Sequence, residues 1–331
     1  MLTLINNYDE ISSPSAEDID AMDGERLRMF TRSHSTMNST SYASIAKAAE
    51  IGESTFAAWI NGKYKGNNEN VEEKIRIWAR SQKSFARQKT SLPVETGFVL
   101  TRTARKFLAA FEHAQAMPDL AVIIGGAGVG KTSACHQYKT THPNVWHLTA
   151  EPLVASSYAV MAYLRETLGL PEMPAYRLTR AITAKVMNTQ GLIIVDEAQH
   201  LTTPALDQLR TIHDKAGVGL VFMGNEEVWR RIDGGGRRAQ FAQLHSRVGM
   251  RVNAPRPLAK DIEEILDASE ISDAKQRAVL KTIAGKPGAL RALAKTLRVA
   301  RMVALGAGES MTDEHITSAW NRLSGDTDAA A

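Results

Sequence analysis

Residues 123–132, IIGGAGVGKT, restrict what this chain can fold into more than any other stretch. Gly125, Gly130, Lys131 and Thr132 follow the spacing of a phosphate-binding loop: glycine, four residues, glycine, lysine, then a hydroxyl residue. In such a loop the glycines let successive backbone N–H groups turn onto a triphosphate. The helix that follows adds its positive dipole end to the same anion. The flanks agree, because residues 120–124 form a short apolar run of strand type and residues 133–139 read as helix. Lys131 is placed to neutralise the β and γ phosphates of ATP, and Thr132 to ligate Mg²⁺. Gly128 inside the loop and Ser133 just beyond it complete the expected nucleotide-binding set.

A phosphate loop alone hydrolyses nothing. The run GLIIVDEAQHL, residues 191–201, supplies a second half: four apolar residues leading to Asp196 and Glu197. This is how a parallel strand buried on both faces reads, with its carboxylates delivered at the C-terminal edge where ligands sit in open α/β sheets. Asp196 is expected to hold the Mg²⁺ shell and Glu197 to polarise the attacking water. A third strand, residues 219–223, ends at Gly224 and Asn225. An amide there orients the water or reads the γ phosphate, the role called sensor 1 in ATPases of the AAA+ class. Taken alone, asparagine after a strand is most often a turn former. Farther on, HSRVGMR carries Arg247 and KPGALRAL carries Arg291. Arginine suits both places because its planar fork binds phosphate oxygens and never deprotonates. Arg247 is expected to be an arginine finger reaching a neighbour's nucleotide, and Arg291 a second sensor touching its own. Either arginine singly reads more simply as a surface ion pair; the ordered series of five features favours the nucleotide roles.

At 331 residues and 44% hydrophobic content the chain has room for more than one domain with ordinary cores. Its single cysteine, Cys135, excludes an intramolecular disulfide framework and a cysteine zinc cluster, and a packing role is expected for it. No apolar stretch approaches the roughly 20 residues of a membrane span. The acidic start (Asp9, Glu10, Glu17, Asp18, Asp20, Asp23, Glu25) is unlike a signal peptide, so a cytoplasmic location is expected.

The net charge of +4 is unevenly spread. Residues 81–106 hold six bases against one acid, and residues 281–301 hold six bases and no acid. Such patches attract a phosphate backbone, although a solubilising face has the same look. In a helix from about residue 289, Arg291, Lys295 and Arg298 share one stripe while Leu290, Leu293, Leu297 and Ala300 line its neighbour. Arg291 cannot serve nucleotide and DNA together, so Lys295 and Arg298 are the DNA candidates here.

Residues 1–38 are acidic, then rich in Ser, Thr, Asn and Met, and are expected to be mostly flexible apart from a short helix near residues 25–30. From Tyr42 the pattern changes. Ile45, Ala46 and Ala49 form one helical face, and Phe56, Trp59 and Ile60 form another after a bend, which is the helix-turn-helix pattern. The turn ordinarily holds glycine; Glu50 there costs up to about 1 kcal/mol at positive φ. The second helix, residues 53–60, contains no Lys or Arg, whereas major-groove readout leans on arginine. Weak backbone contact through Ser54, Thr55, Asn61, Lys63 and Lys65, or a protein contact, therefore fits better than sequence-specific recognition. A helix over residues 71–80 closes this domain.

The expected organisation is a flexible segment at 1–38, a helix-turn-helix domain at 39–81, a linker at 82–96, a nucleotide-binding core at 97–256 opening with a helix over 98–114, and an all-α lid at 257–331. Gly234, Gly235, Gly236, Arg237 and Arg238 form a basic loop suited to face a central polymer in a ring or helix of subunits, or else an exposed turn. Tyr176, Arg177 and Arg180 are a second such candidate.

With the helix-turn-helix, GGAGVGKT, LIIVDEAQHL, MGN, HSRVG and KPGALR in this order, the chain resembles the transposition protein B family of phage Mu and Mu-like prophages. NGKYKGNNENV and NVWHLTAEP also look like that family, and the resemblance runs from about residue 42 to about residue 323. Glu50 and the acidic start depart from its pattern. The resemblance implies an α/β P-loop AAA+ ATPase with an all-α C-terminal lid and an N-terminal helix-turn-helix domain. It further implies a largely sequence-tolerant binder of double-stranded DNA that uses ATP and Mg²⁺, assembles as helical filaments, delivers target DNA to a DDE transposase and stimulates strand transfer. Two other readings stay open. A helix-turn-helix regulatory switch predicts a specific operator, against which the arginine-free second helix argues; a helicase-loader-like ATPase predicts single-stranded DNA or helicase binding.

Overall fold

In a computed structural model of the chain, residues 16–90, 97–233 and 246–325 are described. The chain divides into two compact units that part between Pro93 and Val94.

The first unit is helical: α1 (Ala16–Asp20), α2 (Gly24–Met37), α3 (Tyr42–Ala48), α4 (Glu53–Ile60) and α5 (Asn68–Thr90). The helix-turn-helix is α3 and α4, with Ala46 fully buried where the two meet and Ile45, Phe56, Trp59 and Ile60 in the same core. Glu50 does adopt the left-handed conformation, φ 53°. The strain is held in place from outside the turn, since Lys74 Nζ on α5 donates to the Glu50 carbonyl at 2.9 Å.

Two expectations are corrected here. The described part of residues 1–38 is helical rather than mostly flexible, and the short helix expected near residues 25–30 is α2, which runs on to Met37. Ile19, Met22, Leu27 and Phe30 belong to the helix-turn-helix core, and Asp23 caps α2 by accepting from the Arg26 N–H at 2.8 Å. The sequence hides this because α2 buries a threonine, Thr31, whose hydroxyl donates to the Leu27 carbonyl, where a longer apolar stripe would have been conspicuous. Residues 1–15 lie outside the described residues. The second correction concerns α5, which runs on to Thr90, so the stretch expected as linker from residue 82 begins as helix; residues 91–96 lie outside the description.

The second unit is built on a parallel five-stranded sheet in the order β2-β3-β4-β1-β5. Its strands are β1 (Leu120–Gly125), β2 (Val145–Thr149), β3 (Leu192–Asp196), β4 (Gly219–Gly224) and β5 (Val248–Ala254). The three inner strands are buried along their whole length, as strands covered on both faces must be. One face packs on α6 (Arg102–Ala116) and α7 (Lys131–Thr141) through Phe107, Phe111 and Tyr138, with Cys135 packed among them. The other packs on α8 (Ser157–Thr167), α9 (Ala175–Val186) and α10 (Thr203–Ala216) through Leu164, Ile182 and Leu209. The helix expected from residue 98 begins at Arg102, because the Thr101 hydroxyl accepts from the Ala104 N–H and caps it there.

After a short α11 (Glu226–Asp233) and β5, four helices form the lid: α12 (Ala259–Ala268), α13 (Ala274–Ala284), α14 (Ala289–Ala307) and α15 (Asp313–Ser324). They enclose a core of their own around Leu266, Leu280, Leu293 and Ile316. Asp261 is fully buried and ties lid to sheet domain: it accepts from the Thr103 N–H (2.9 Å), the Thr103 hydroxyl (2.5 Å) and the Leu258 N–H (2.7 Å).

Candidate nucleotide site

The loop leaves β1 at Gly125 and enters α7 at Lys131, with Gly128 and Gly130 at φ 77° and 96°. Thr132 and Ser133 fall in the first turn of α7, beside the N–H groups that a phosphate would meet. Lys131 is 9% exposed, and its Nζ donates to the Gly125 and Gly126 carbonyls at 2.8 and 3.0 Å. Burial pulls its pKa below the usual lysine value; the charges of Asp196 and Glu197 oppose that shift, and Arg291 adds to it. The ammonium is thus held inside the loop by weak acceptors that a triphosphate can replace.

Asp196, 1% exposed at the end of β3, accepts from the Thr132 hydroxyl at 2.6 Å. A hydroxyl and a carboxylate in direct contact are hard oxygen donors of the kind Mg²⁺ takes, so these two residues fit the ion. Glu197 follows in the left-handed region at φ 53°, its N–H bonded to Asp196 Oδ1 at 2.8 Å. Its carboxylate accepts from Gln199 Nε2, and Gln199 Oε1 accepts from the Asn225 N–H at 3.4 Å. Asn225 Oδ1 accepts from the Glu227 N–H at 2.9 Å, so the plain turn-forming role holds for its oxygen. Its Nδ2 is the group left for a phosphate oxygen or water. Gln199 was not singled out from sequence; its only signal there was a polar amide two residues beyond the acid.

The lid closes onto this site at one turn. The Leu290 N–H donates to the Gly128 carbonyl at 3.2 Å, and a Cβ on Gly128 would lie 3.5 Å from Arg291 Cβ. Arg291 therefore stands beside the phosphate loop. Arg247 is elsewhere. It immediately precedes β5, whose first residue pairs with Leu120 at the N-terminal end of β1, while the phosphate loop leaves the C-terminal end. Five residues of strand put roughly 17 Å between them, and Arg247 pairs with Asp214 at 3.7 Å on its own side. It cannot serve the nucleotide bound by its own chain.

The DNA candidates scatter. Arg177 and Arg180 are exposed on α9, with the Arg177 guanidinium 5.5 Å from the ring of Tyr176, itself 77% exposed. Lys295 and Arg298 are exposed on α14, and Lys63 and Lys65 follow α4 in the first unit. The acid-free run at residues 281–301 is not free of acid in space: Lys281 pairs with Glu263, and Arg301 is engaged with the Ser269 carbonyl. Arg237 and Arg238 lie outside the described residues. No described helix is long and apolar enough to cross a membrane.

Residues 117–232 match the family described as AAA domain, and residues 246–323 match the one described as Mu B transposition protein, C terminal. The chain is 35% identical over 291 residues to "ATP-dependent target DNA activator B" of Escherichia phage Mu, covering 87% of this chain and 92% of that one. The protein of that name from Escherichia phage D108 matches at the same identity and coverage. "Mu-like prophage FluMu DNA transposition protein B" of Haemophilus influenzae is 32% identical over 80% of this chain and 93% of its own length.

Sheet order, phosphate loop and lid define an ATPase of the AAA+ class. Within that class, the chain belongs to the family of the Mu target DNA activator B.

Proposed function

We propose that this ATPase binds duplex DNA with little regard for sequence, oligomerises on it when ATP is bound, and presents it to a DDE transposase for strand transfer. The observation that carries the reading is the position of Arg247. With the finger at the opposite end of the sheet from the loop, a complete site needs two subunits, so the γ phosphate becomes the contact on which assembly depends. The relatives' name, ATP-dependent target DNA activator B, supports the DNA and transposition part.

In this scheme Lys131 leaves the Gly125 and Gly126 carbonyls for the β and γ phosphates, and Arg291 approaches the same oxygens from the lid. Thr132 and Asp196 hold Mg²⁺, which when bound neutralises charge developing on the phosphates. Glu197 accepts a hydrogen bond from the attacking water and aligns it, and Arg247 of an adjoining subunit meets the transferring group. Loss of the γ phosphate removes the contact between subunits, and the assembly dissolves. Arg177, Arg180, Lys295 and Arg298 are the candidate DNA contacts, with Lys63 and Lys65 offering weak contact from the helix-turn-helix unit.

The deciding experiment is sedimentation with random-sequence duplex DNA in the presence of ATP, of ADP and of no nucleotide. Large complexes with ATP alone are expected, weakening steeply with salt as phosphate contacts release counterions. Binding that ignores nucleotide, or occurs on one defined sequence only, would sink the proposal in favour of a regulatory switch.

A further inference from the structure

A line of hydrogen bonds crosses the C-terminal edge of the sheet. Thr132 Oγ1 donates to Asp196 Oδ2, the Glu197 N–H to Asp196 Oδ1, Gln199 Nε2 to Glu197 Oε2, the Asn225 N–H to Gln199 Oε1, and the Glu227 N–H to Asn225 Oδ1. The helix of the phosphate loop, the acids of β3 and the end of β4 are thereby joined through five consecutive links. One of these residues spans the gap between strands with a planar side-chain amide, donating at one end and accepting at the other: Gln199.

Two features show that the span is built in. Glu197 sits in the left-handed region at φ 53°, where a non-glycine residue costs roughly 1–3 kcal/mol unless its surroundings hold it. Gly224, at the end of β4, is the second: a Cβ there would come within 2.2 Å of Gln199 Oε1. Glycine at 224 is what lets the amide lie across the strand end.

We propose that Gln199 is a positioning residue for ATP hydrolysis. Its N–H holds the Glu197 carboxylate in place at the end of β3. Its carbonyl fastens that same unit to the backbone at Asn225. A shift of Asn225 on meeting the γ phosphate is therefore passed to the group that aligns water, while nucleotide binding itself is left to the loop. The inference rests on the reading of Glu197 as the water-aligning carboxylate.

The test is steady-state ATPase kinetics on the full chain, with nucleotide affinity measured alongside, for Gln199→Leu, Gln199→Glu, Gly224→Ala and Glu197→Gln. Q199L is expected to lower kcat about tenfold or more while KM and nucleotide affinity stay within about twofold. Q199E, which replaces the donor with a second carboxylate facing Glu197, should lower kcat at least as far with affinity likewise retained. G224A should lower kcat with Gln199 and Glu197 both present. Parental kcat in Q199L overturns the proposal, as does a loss of nucleotide affinity that parallels the loss of kcat. Should Q199L fail to fold, Q199E and G224A carry the same readouts. Normal turnover by E197Q would instead remove the reading of Glu197 itself, whereas a silent E197Q beside a fully active Q199L fails this inference alone.

Discussion

Leu290 donates its backbone N–H to the carbonyl of Gly128 at 3.2 Å, so the longest helix of the lid is bonded at its first turn to the phosphate loop. The contact is close because neither side offers a side chain: Gly128 faces the Gly288 carbonyl, and Gly288 itself lies at φ 94°. Arg291 is one residue beyond the donor. Its approach to the loop is set by backbone geometry, so the lid brings a charge to the nucleotide through a bond that any movement of the lid must break.

Gly128→Ala should disrupt this joint. The new Cβ would stand 1.9 Å from the Gly288 carbonyl oxygen at a φ of 77°, so both strain and clash oppose it. A loss of nucleotide affinity of about tenfold or more, equal to roughly 1.4 kcal/mol, is expected from titration with a fluorescent ATP analogue. Affinity within about twofold of the parent protein would mean the lid contact does not shape the site.

Lys131→Ala and Glu197→Gln should part in opposite directions. Without Lys131 the loop loses the ammonium now held by the Gly125 and Gly126 carbonyls, and ATP-dependent complexes with DNA should not form. With glutamine at 197 the loop is untouched, ATP still binds, and DNA-bound complexes should outlast those of the parent protein in a dilution-chase measured by light scattering. Normal complexes from K131A would count against any nucleotide-gated assembly.

The placement of Arg247 predicts complementation between variants. Arg247→Ala and Glu197→Gln should each be nearly silent as ATPases. Mixed on DNA, an interface with the pocket from R247A and the finger from E197Q has every group in place, and turnover should reappear. A mixture as silent as its components would show that Arg247 takes no part in hydrolysis.

What the sequence revealed and what it hid follow from the range of the forces involved. Strand, loop and helix at residues 120–141 are local, and apolar runs ending in Asp196 or Gly224 declare buried parallel strands by their continuity. Contacts made across the chain leave no such trace. Gln199 and Asn225 meet over 26 residues, and Asp261 and Thr103 over 158. Lys281 looked unopposed because Glu263 reaches it from a different helix. Of helix α2 only the turn near residues 25–30 was legible, because beyond Leu27 and Phe30 its buried face continues with Thr31, whose hydroxyl is hidden in a bond to its own helix.

Asp261 should prove more sensitive to substitution than any ion pair on the surface. Its two oxygens satisfy three donors in a fully buried place, among them the hydroxyl and N–H of Thr103. Asp261→Ala removes the acceptor and leaves those donors without one, at a cost of roughly 2–4 kcal/mol. Chemical denaturation should report that loss, and Thr103→Val should lose less. If D261A were as stable as the parent protein, the lid would be held by its apolar contacts alone.

His34 gives the helix-turn-helix unit a dependence on pH. Its ring lies 4.9 Å from that of Trp78, edge to face, and its Nδ1 is buried with no hydrogen-bond partner among the described residues. Burial pulls its pKa below the ordinary value of 6.5. The unfolded chain therefore takes up the proton at higher pH than the folded one. The stabilisation is fully present above the unfolded value and is lost as pH falls through the depressed folded value. Hydrogen exchange over residues 24–37, corrected for intrinsic rates, should show protection falling between pH 7 and pH 5. His34→Phe keeps an aromatic ring against Trp78 and carries no proton to gain, so its protection should change much less over that interval. Equal pH dependence in the two proteins would place the sensitivity on another group.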